Sequence, residues 1–288
     1  MIVEPAGRDD FLALMEKTYG ESMSPAEFDW WFDRNPAGPR ILNEAREDDG
    51  TALGVLAMSS FRMSQGLAAF AVHAATTPAA RGRGVFSTLE LHNEQIAAEA
   101  GAAWALGFTN PMAGPILVGR VGWEDVTSLR IWVRPKRARK RGRGSLRGPA
   151  NVEPFSDRHA VRYDAHHIVR DPTYLTWRYS DSPRQYVRLE DEEGWAVVTH
   201  AVWHGYSSAV ICEAVCGASL LRRSVRAVDA DLAVAMVNPG EARTYLAAGF
   251  VPTPRTIRFI GKRLTGDAPE LPKRRDAWHF TLGDLDFF

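Results

Sequence analysis

Residues 76–95 read TTPAARGRGVFSTLELHNEQ. Two glycines, Gly82 and Gly84, alternate with two arginines, Arg81 and Arg83, and the run joins an apolar stretch to a segment with helical spacing. Glycine visits positive φ at little cost, and without a Cβ it lets backbone N–H groups come close to a ligand. A helix starting just beyond adds unpaired N–H groups and the positive end of its dipole. The two guanidinium groups add fixed charge. Together these features favour a phosphate or pyrophosphate.

The flanking segments place that turn in a fold. Upstream, ILNEAREDDGTALGVLAMSSFRMSQGLAAFAVHAATT (41–77) divides into three strands, with turns at Asp48-Asp49-Gly50 and Gln65-Gly66. Downstream, STLELHNEQIAAEA (87–100) is helical, with Ser87 or Thr88 as its N-cap and Gly101 as its stop, and AAWALGF (102–108) is a short apolar strand. DDFLALMEKTYG (9–20) and SPAEFDWWFDR (24–34) read as two helices, each opened by a capping-type residue. Antiparallel strands with helices interspersed predict a mixed α/β, or α+β, layer fold.

The chain has 288 residues, enough for one large domain or two ordinary ones. At 45% hydrophobic and 24% charged residues it has a globular composition. Its formal net charge is zero, so only a local patch can bind a polyanion. Cys212 and Cys216 are too few for a disulfide framework and read as reduced core residues. No uncharged apolar run approaches 18 residues, and MIVEPAGRDD carries acids rather than a basic leader; a cytoplasmic protein without membrane association is expected.

RPKRARKRGRGSLRG (134–148) breaks the pattern, with eight Lys or Arg and no acid. It reads as a solvated linker, or alternatively an anion-binding patch; nucleic acid is disfavoured as a partner because no aromatics interleave with the charges. Beyond it the sequence starts again. DPTYLTWRYSDSP (171–183) is similar to AEFDWWFDRNP (26–36), and VNPGEARTYLAAGFVPTPRTIRFI (237–260) to TNPMAGPILVGRVGWEDVTSLRIWV (109–133). The second pair shares Asn-Pro, a helix-length segment, then Gly122-Trp123 or Gly249-Phe250. A duplicated domain is expected, residues 1–140 and 150–288, with the R-G-x-G turn only in the first copy.

Three phosphate-binding turns compete for residues 81–87. A Walker A loop needs Gly-Lys-Ser/Thr, which Arg83-Gly84-Val85-Phe86 does not supply. A Rossmann turn needs a third glycine and an acid at the end of the next strand, where this chain has Ser87 and Phe108-Thr109-Asn110. The segment Thr76 to Phe86 resembles the pyrophosphate loop of the GNAT superfamily of acyl-CoA N-acyltransferases, Arg/Gln-x-x-Gly-x-Gly/Ala, with Phe86 where a small residue is usual. The order of elements over residues 1 to about 135 is also similar to that family, with a weaker copy over about 150–288.

The resemblance implies a fold and a chemistry. It implies two tandem GNAT-like domains, each a mixed, mostly antiparallel sheet flanked by helices. It implies that Ala74, Ala75, Thr76, Thr77, Arg81, Gly82, Arg83, Gly84, Val85, Phe86 and Asn110 hold an acyl-CoA co-substrate such as acetyl-CoA, with no metal. The fourth strand would splay from the fifth beside the thioester. A primary amine of a small molecule or sugar would be the acceptor, and the chain a monomer or homodimer.

The general base is left open. His73 lies just before the loop, and its type has an unperturbed pKa suited to the role, though a hydrogen-bonded core histidine is the favoured reading, and His92 falls on a solvated face. In many relatives a Tyr four residues before the Gly of Gly-Phe donates a proton to the departing thiolate; here that position is Val118, while its counterpart in the second half is Tyr245. The C-terminus, DAWHFTLGDLDFF (276–288), offers Asp284, Asp286 and the Phe288 carboxylate as further candidates, or else a strand packed into a sheet. His166, His167, His200 and His204 have no carboxylate spaced with them for a metal site. The alternatives are a non-catalytic acyl-CoA-binding protein and a nucleic-acid-associated module using 134–147.

Overall fold

A computed structural model describes residues 1–20, 22–135, 145–147 and 152–285. In the first half of the chain the elements are β1 (Ile2–Pro5), α1 (Arg8–Tyr19), α2 (Pro25–Phe28), β2 (Ile41–Arg46), β3 (Ala52–Met63), β4 (Gly66–Thr76), α3 (Val85–Glu99), β5 (Ala102–Thr109), α4 (Ala113–Ile116) and β6 (Glu124–Pro135). The second half holds β7 (Ser145–Leu146), α5 (Pro172–Leu175), β8 (Val187–Asp191), β9 (Gly194–Trp203), β10 (Tyr206–Val215), α6 (Ala218–Arg226), β11 (Val228–Asp229), β12 (Leu232–Met236), α7 (Ala242–Ala247) and β13 (Val251–Arg263).

The chain forms two compact units: Met1–Val126 with Arg258–Lys273, and Thr127–Ile257 with Arg274–Phe288. This differs from a simple division at 140–150. Each half sends a strand to the other unit, so that 258–263 of β13 close the first sheet against β5, and 131–135 of β6 pair with β12 in the second. Residues 136–144 and 148 of the basic run lie outside the described residues.

In unit 1, β1 to β4 run antiparallel in sequence order and β4 pairs parallel with β5. β3 is buried along nearly its whole length, so the sheet is covered on both faces. One face holds an aromatic set from α1 and the α2 region. Phe11 meets Phe28 at 5.5 Å and Phe28 meets Phe32 at 4.9 Å between centroids, in the tilted arrangement aromatic pairs prefer. Burying each such ring contributes roughly 2–3 kcal/mol. The other face packs α3 through Val85, Leu89 and Ala97 onto Leu56, Met58, Trp123 and Ile260.

The caps explain where helices begin. Ser24 accepts from the Glu27 N–H while the Glu27 carboxylate accepts from the Ser24 N–H, with Pro25 at the first helical position. Asp171 opens α5 in the same way, accepting from Tyr174 N–H, again with Pro next. Both helices then loosen into a π turn, Asp29–Asp33 and Thr176–Ser180, so the similarity read between 26–36 and 171–183 is also a structural one. Unit 2 repeats the pairing scheme: β8, β9 and β10 are antiparallel, β10 is parallel to β12, and β12 is antiparallel to β6. Its core joins Leu221 and Val225 of α6 to Val198, Ile211, Ala235 and Phe250. β7 and β11 form a separate two-residue ladder. No helix among the described residues is long and apolar enough to cross a membrane.

Candidate active site

Between β4 and β5 the ladder runs only from Leu67–Ala102 to Phe70–Leu106. β4 continues to Thr76 and β5 to Thr109 without pairing, so the two parallel strands separate. A bulge opposite Ala57 and Met58 places Val72 as the extra residue of β4, where such irregularities re-aim side chains. The separation opens a cleft of about 780 Å³. Segment 71–76 of β4 keeps β3 on one side and presents its other backbone edge to this cleft. Tyr19, at the end of α1, donates its hydroxyl to the Ala74 carbonyl at 2.8 Å.

The R-G-x-G turn forms the mouth. Gly82 and Gly84 sit at φ 78° and 83°, and a Cβ on either would point into open space, so both carry the left-handed conformation that glycine tolerates. Gly84 is the N-cap of α3, and no side chain caps that terminus. Ser87 and Thr88, expected as caps, lie inside the helix; the Thr88 N–H already bonds the Gly84 carbonyl at 3.0 Å. The first N–H groups of α3 therefore have no side-chain acceptor and meet the cleft at Gly84, Val85 and Phe86.

The expected residues divide. Ala74, Thr76, Arg81, Gly82, Gly84, Val85, Phe86, Asn110 and His73 line the cleft. Arg83 does not: its guanidinium turns away to the Glu47 carboxylate, 2.5 Å. Ala75 is buried against Gly54, and Thr77 is buried with its N–H on the Leu53 carbonyl, so neither lines it. Asn110 uses its side-chain oxygen to cap α4, accepting from the N–H groups of Met112 and Ala113, both at 2.9 Å. His73 lies half-buried with its ring edge-on to Phe11 and Phe32, each at 6.1 Å. Val118 packs against the core and is not on the cleft wall, where Ile116, Leu117 and Arg120 of the α4 region stand instead.

Asp284 is placed elsewhere. Its side chain is fully buried in unit 2, where Arg170 donates to both carboxylate oxygens at 2.6 Å and Arg170 also reaches Glu213 at 3.1 Å. The Thr281 N–H, the Tyr174 hydroxyl and the Thr281 hydroxyl also donate to it, at 2.8, 3.3 and 3.5 Å. Burial, opposed by Arg170, pushes the Glu213 carboxyl above its ordinary value, with the charge of Asp284 adding to the rise. A carboxylate engaged this way is a structural ion pair rather than a solvent-facing base. Asp286 and Phe288 lie outside the described residues.

Unit 2 has the same strand separation, since β10 and β12 pair only from Ser208–Leu232 to Val210–Val234. Its own C-terminal segment fills that space. Asn238, just after β12, donates to the Phe280 carbonyl and accepts from the Phe280 N–H at 3.1 and 3.2 Å. Thr281 donates to Glu213 of β10 at 3.2 Å, and Gly283 lies so close that an added Cβ would stand 2.7 Å from the Cys212 carbonyl. Asn238 and Tyr245 are the counterparts of Asn110 and Val118, and Tyr245 is buried. His200 bonds Ser207, and among the described residues no three His, Cys, Asp or Glu side chains gather as a metal site.

One cleft residue escaped the sequence reading. Glu90 of α3 has no exposed surface, lines the cleft, and neither of its oxygens has a hydrogen-bond partner among the described residues. Burial, reinforced by Glu94 one turn on and opposed by Lys262, pushes its carboxyl up to about 8. Glu94 itself is engaged, accepting from the Trp123 indole N–H and from Lys262, both at 2.5 Å. The signal available in the sequence was the four-residue spacing of Phe86, Glu90 and Glu94, which puts two carboxylates on one face of a helix with an aromatic.

No protein-family model matches the sequence, and no curated protein does. Solved structures do match in fold. A GCN5-related N-acetyltransferase from Kribbella flavida aligns over 91% of this chain and 70% of its own, with TM-score 0.60 and 14% identity. One from Anabaena variabilis aligns over 92% and 73%, with TM-score 0.58 and 14% identity. A GCN5-related glucosamine N-acetyltransferase region of a fungal multi-domain β-N-acetylglucosaminidase aligns over 91% of this chain and 38% of that one, with TM-score 0.52 and 14% identity. The splayed parallel strands, the glycine-arginine turn ahead of α3, and these likenesses over nine-tenths of the chain lead to one statement: this chain has the fold of the GCN5-related N-acetyltransferase (GNAT) superfamily.

Proposed function

We propose that the protein is an acyl-CoA-dependent N-acyltransferase whose co-substrate binds in the cleft of unit 1. The observation that carries this reading is the cleft itself: its mouth is an uncapped helix N-terminus preceded by Arg81 and two left-handed glycines, and its floor is the gap between β4 and β5. The N–H groups of Gly82, Gly84 and Val85 with Arg81 would hold a pyrophosphate. The free edge of β4 would bond the amides of the pantetheine arm, and the bulge at Val72 would receive the acyl group. A thioester arrives already activated, so the chain's task is to bind it, admit a neutral amine and exclude water. His73, on the cleft wall, would take a proton from that amine.

The acceptor in this reading is a primary amine on a small molecule or sugar. Support for the sugar comes from one structure of similar fold, described as a glucosamine N-acetyltransferase region. Asp284 carries no role in it. The protein would act in the cytoplasm, as a monomer or homodimer, without a metal.

A second reading, a non-catalytic acyl-CoA binder, is favoured by Val118 at the position where relatives place a proton-donating Tyr. Thiol release from acetyl-CoA, followed with a thiol reagent across a panel of amino sugars and alkylamines, separates the two. Amine-dependent release supports the transferase. Saturable acetyl-CoA binding with no release for any amine supports the binder, and no binding at all removes both.

A further inference from the structure

Glu90 is a buried carboxyl group with no hydrogen-bond partner among the described residues, on the wall of a cleft lined mainly by alanines, glycines and other apolar side chains, with Arg81, Arg120, His73 and Asn110 among its polar members. A buried polar group without a partner is costly, and its persistence asks for a ligand that completes it. Its position narrows what that ligand is. Val85, at the start of α3, packs against Gly54 beside Ala75 and Thr76, and Asn93 donates to the Leu56 carbonyl at 3.0 Å. Glu90 lies between these anchors, about 8 Å along the helix from Val85 at 1.5 Å per residue. The bulged residue of β4, Val72, lies about 13 Å back from Thr76, at about 3.3 Å per strand residue. α3 thus runs back from the anion-binding mouth over the strands, and Glu90 lies behind the mouth, between the levels of Thr76 and Ala74 of β4, on the cleft wall. Leu117 of the α4 region faces the same cleft, one residue before the Val118 that cannot donate.

We propose that Glu90 is the acid that protonates the departing sulfur in acyl transfer, taking the place left by Val118. The inference rests on the acyl-CoA reading of the cleft. The acceptor nitrogen forms a bond to the thioester carbonyl carbon, the carbon–sulfur bond breaks, and its electron pair goes to sulfur. Glu90 gives its proton to that sulfur. The acceptor nitrogen loses one proton to His73 or water, and Glu90 regains one from solvent, so amide and thiol are the only net products. The groups facing Glu90 are consistent with a neutral acid. On its own helix is Glu94, engaged by Trp123 and Lys262; β13 brings Lys262; His73 of β4, Arg81 of the mouth and Arg120 of the α4 region line the same cleft; β5 carries no titratable side chain.

The test uses Glu90→Gln, of the same shape but without an acidic proton, with Glu90→Leu as a second variant. Two readouts are taken on wild type and variants. The first is thiol release from acetyl-CoA with glucosamine or ethylamine between pH 6 and 9.5. The second is the thiolate absorbance of bound CoA titrated over the same range, which needs no turnover. The proposal expects kcat reduced about 10²-fold or more in both variants with KM for acetyl-CoA within about twofold. The wild-type fall in kcat above about pH 8 disappears in Glu90→Gln. In the wild type the thiol of bound CoA titrates together with a second group, and in both variants it titrates alone. Unchanged kcat, or identical thiol titrations in wild type and variants, overturns the proposal while leaving the acyl-CoA reading intact. Absence of CoA binding to wild type overturns that reading instead, and Glu90's role with it. Loss of CoA binding in both folded variants reassigns Glu90 to ligand binding and also overturns the acid role.

Discussion

Replacing Glu90 with Gln tests the electrostatics of the cleft apart from any activity. The carboxyl is fully buried, and burial pushes its pKa from 4.5 up to about 8 on folding. Between those values the folded chain holds a proton that the unfolded chain has released, so stability falls as pH rises through that window and levels off above about pH 8. Each pH unit in the window costs about 1.4 kcal/mol. Gln has no such proton, and every other titrating group is common to the two proteins. The stability of Glu90→Gln relative to wild type should therefore climb by about 3 kcal/mol between pH 5 and pH 7.5. Urea unfolding at half-unit pH steps, monitored by the fluorescence of the unit 1 tryptophans, gives the difference directly through the linear dependence on denaturant. A difference that stays flat from pH 5 to 9 would show that Glu90 ionises normally in the fold, and the account of a neutral acid in the cleft would be wrong.

Other outcomes follow from particular contacts. Arg81→Ala should weaken CoA binding about tenfold or more, the worth of a charge-assisted hydrogen bond, whereas Arg83→Ala should leave it within about twofold because Arg83 is held by Glu47; calorimetric titration separates the two. Gly54→Ala should destabilise unit 1 by roughly 1–3 kcal/mol in thermal or urea unfolding, since its Cβ would stand 2.8 Å from both the Ala75 carbonyl and a Val85 methyl. Arg170→Met should destabilise unit 2 by roughly 3–5 kcal/mol, leaving Asp284 and Glu213 buried without their cation, yet CoA affinity should not change.

Much of unit 1 was legible because its signals are local. The three strands between 41 and 77, the Ser24-Pro25 helix start and the glycine-arginine turn each depend on a few neighbouring residues whose backbone preferences agree. The helix cap after the turn was read three or four residues late, because Ser87 and Thr88 look like caps while Gly84, left-handed at φ 83°, already serves. What depends on distant partners was not legible. Arg170 and Asp284 are 114 positions apart, so Asp284 looked free to serve as a base when it is held in an ion pair. The repeat pointed to two domains but not to the exchange of 131–135 and 258–263, since pairing partners of a strand are not written in its own pattern. Arg83 and Arg81 are chemically alike, and only the position of Glu47 distinguishes them. Glu90 was not singled out in the sequence because its burial is set by the sheet and the α4 region that enclose it.

Titrating the protein with acetyl-CoA in a calorimeter addresses the central claim, because the two units make opposite demands on the result. Unit 1 presents an open cleft behind a glycine-arginine turn, and in unit 2 the matching gap is filled by the C-terminal segment. The account predicts one molecule bound per chain, lost or much weakened in Arg81→Ala. Two molecules per chain would contradict the filled gap in unit 2, and none would contradict the acyl-CoA cleft itself.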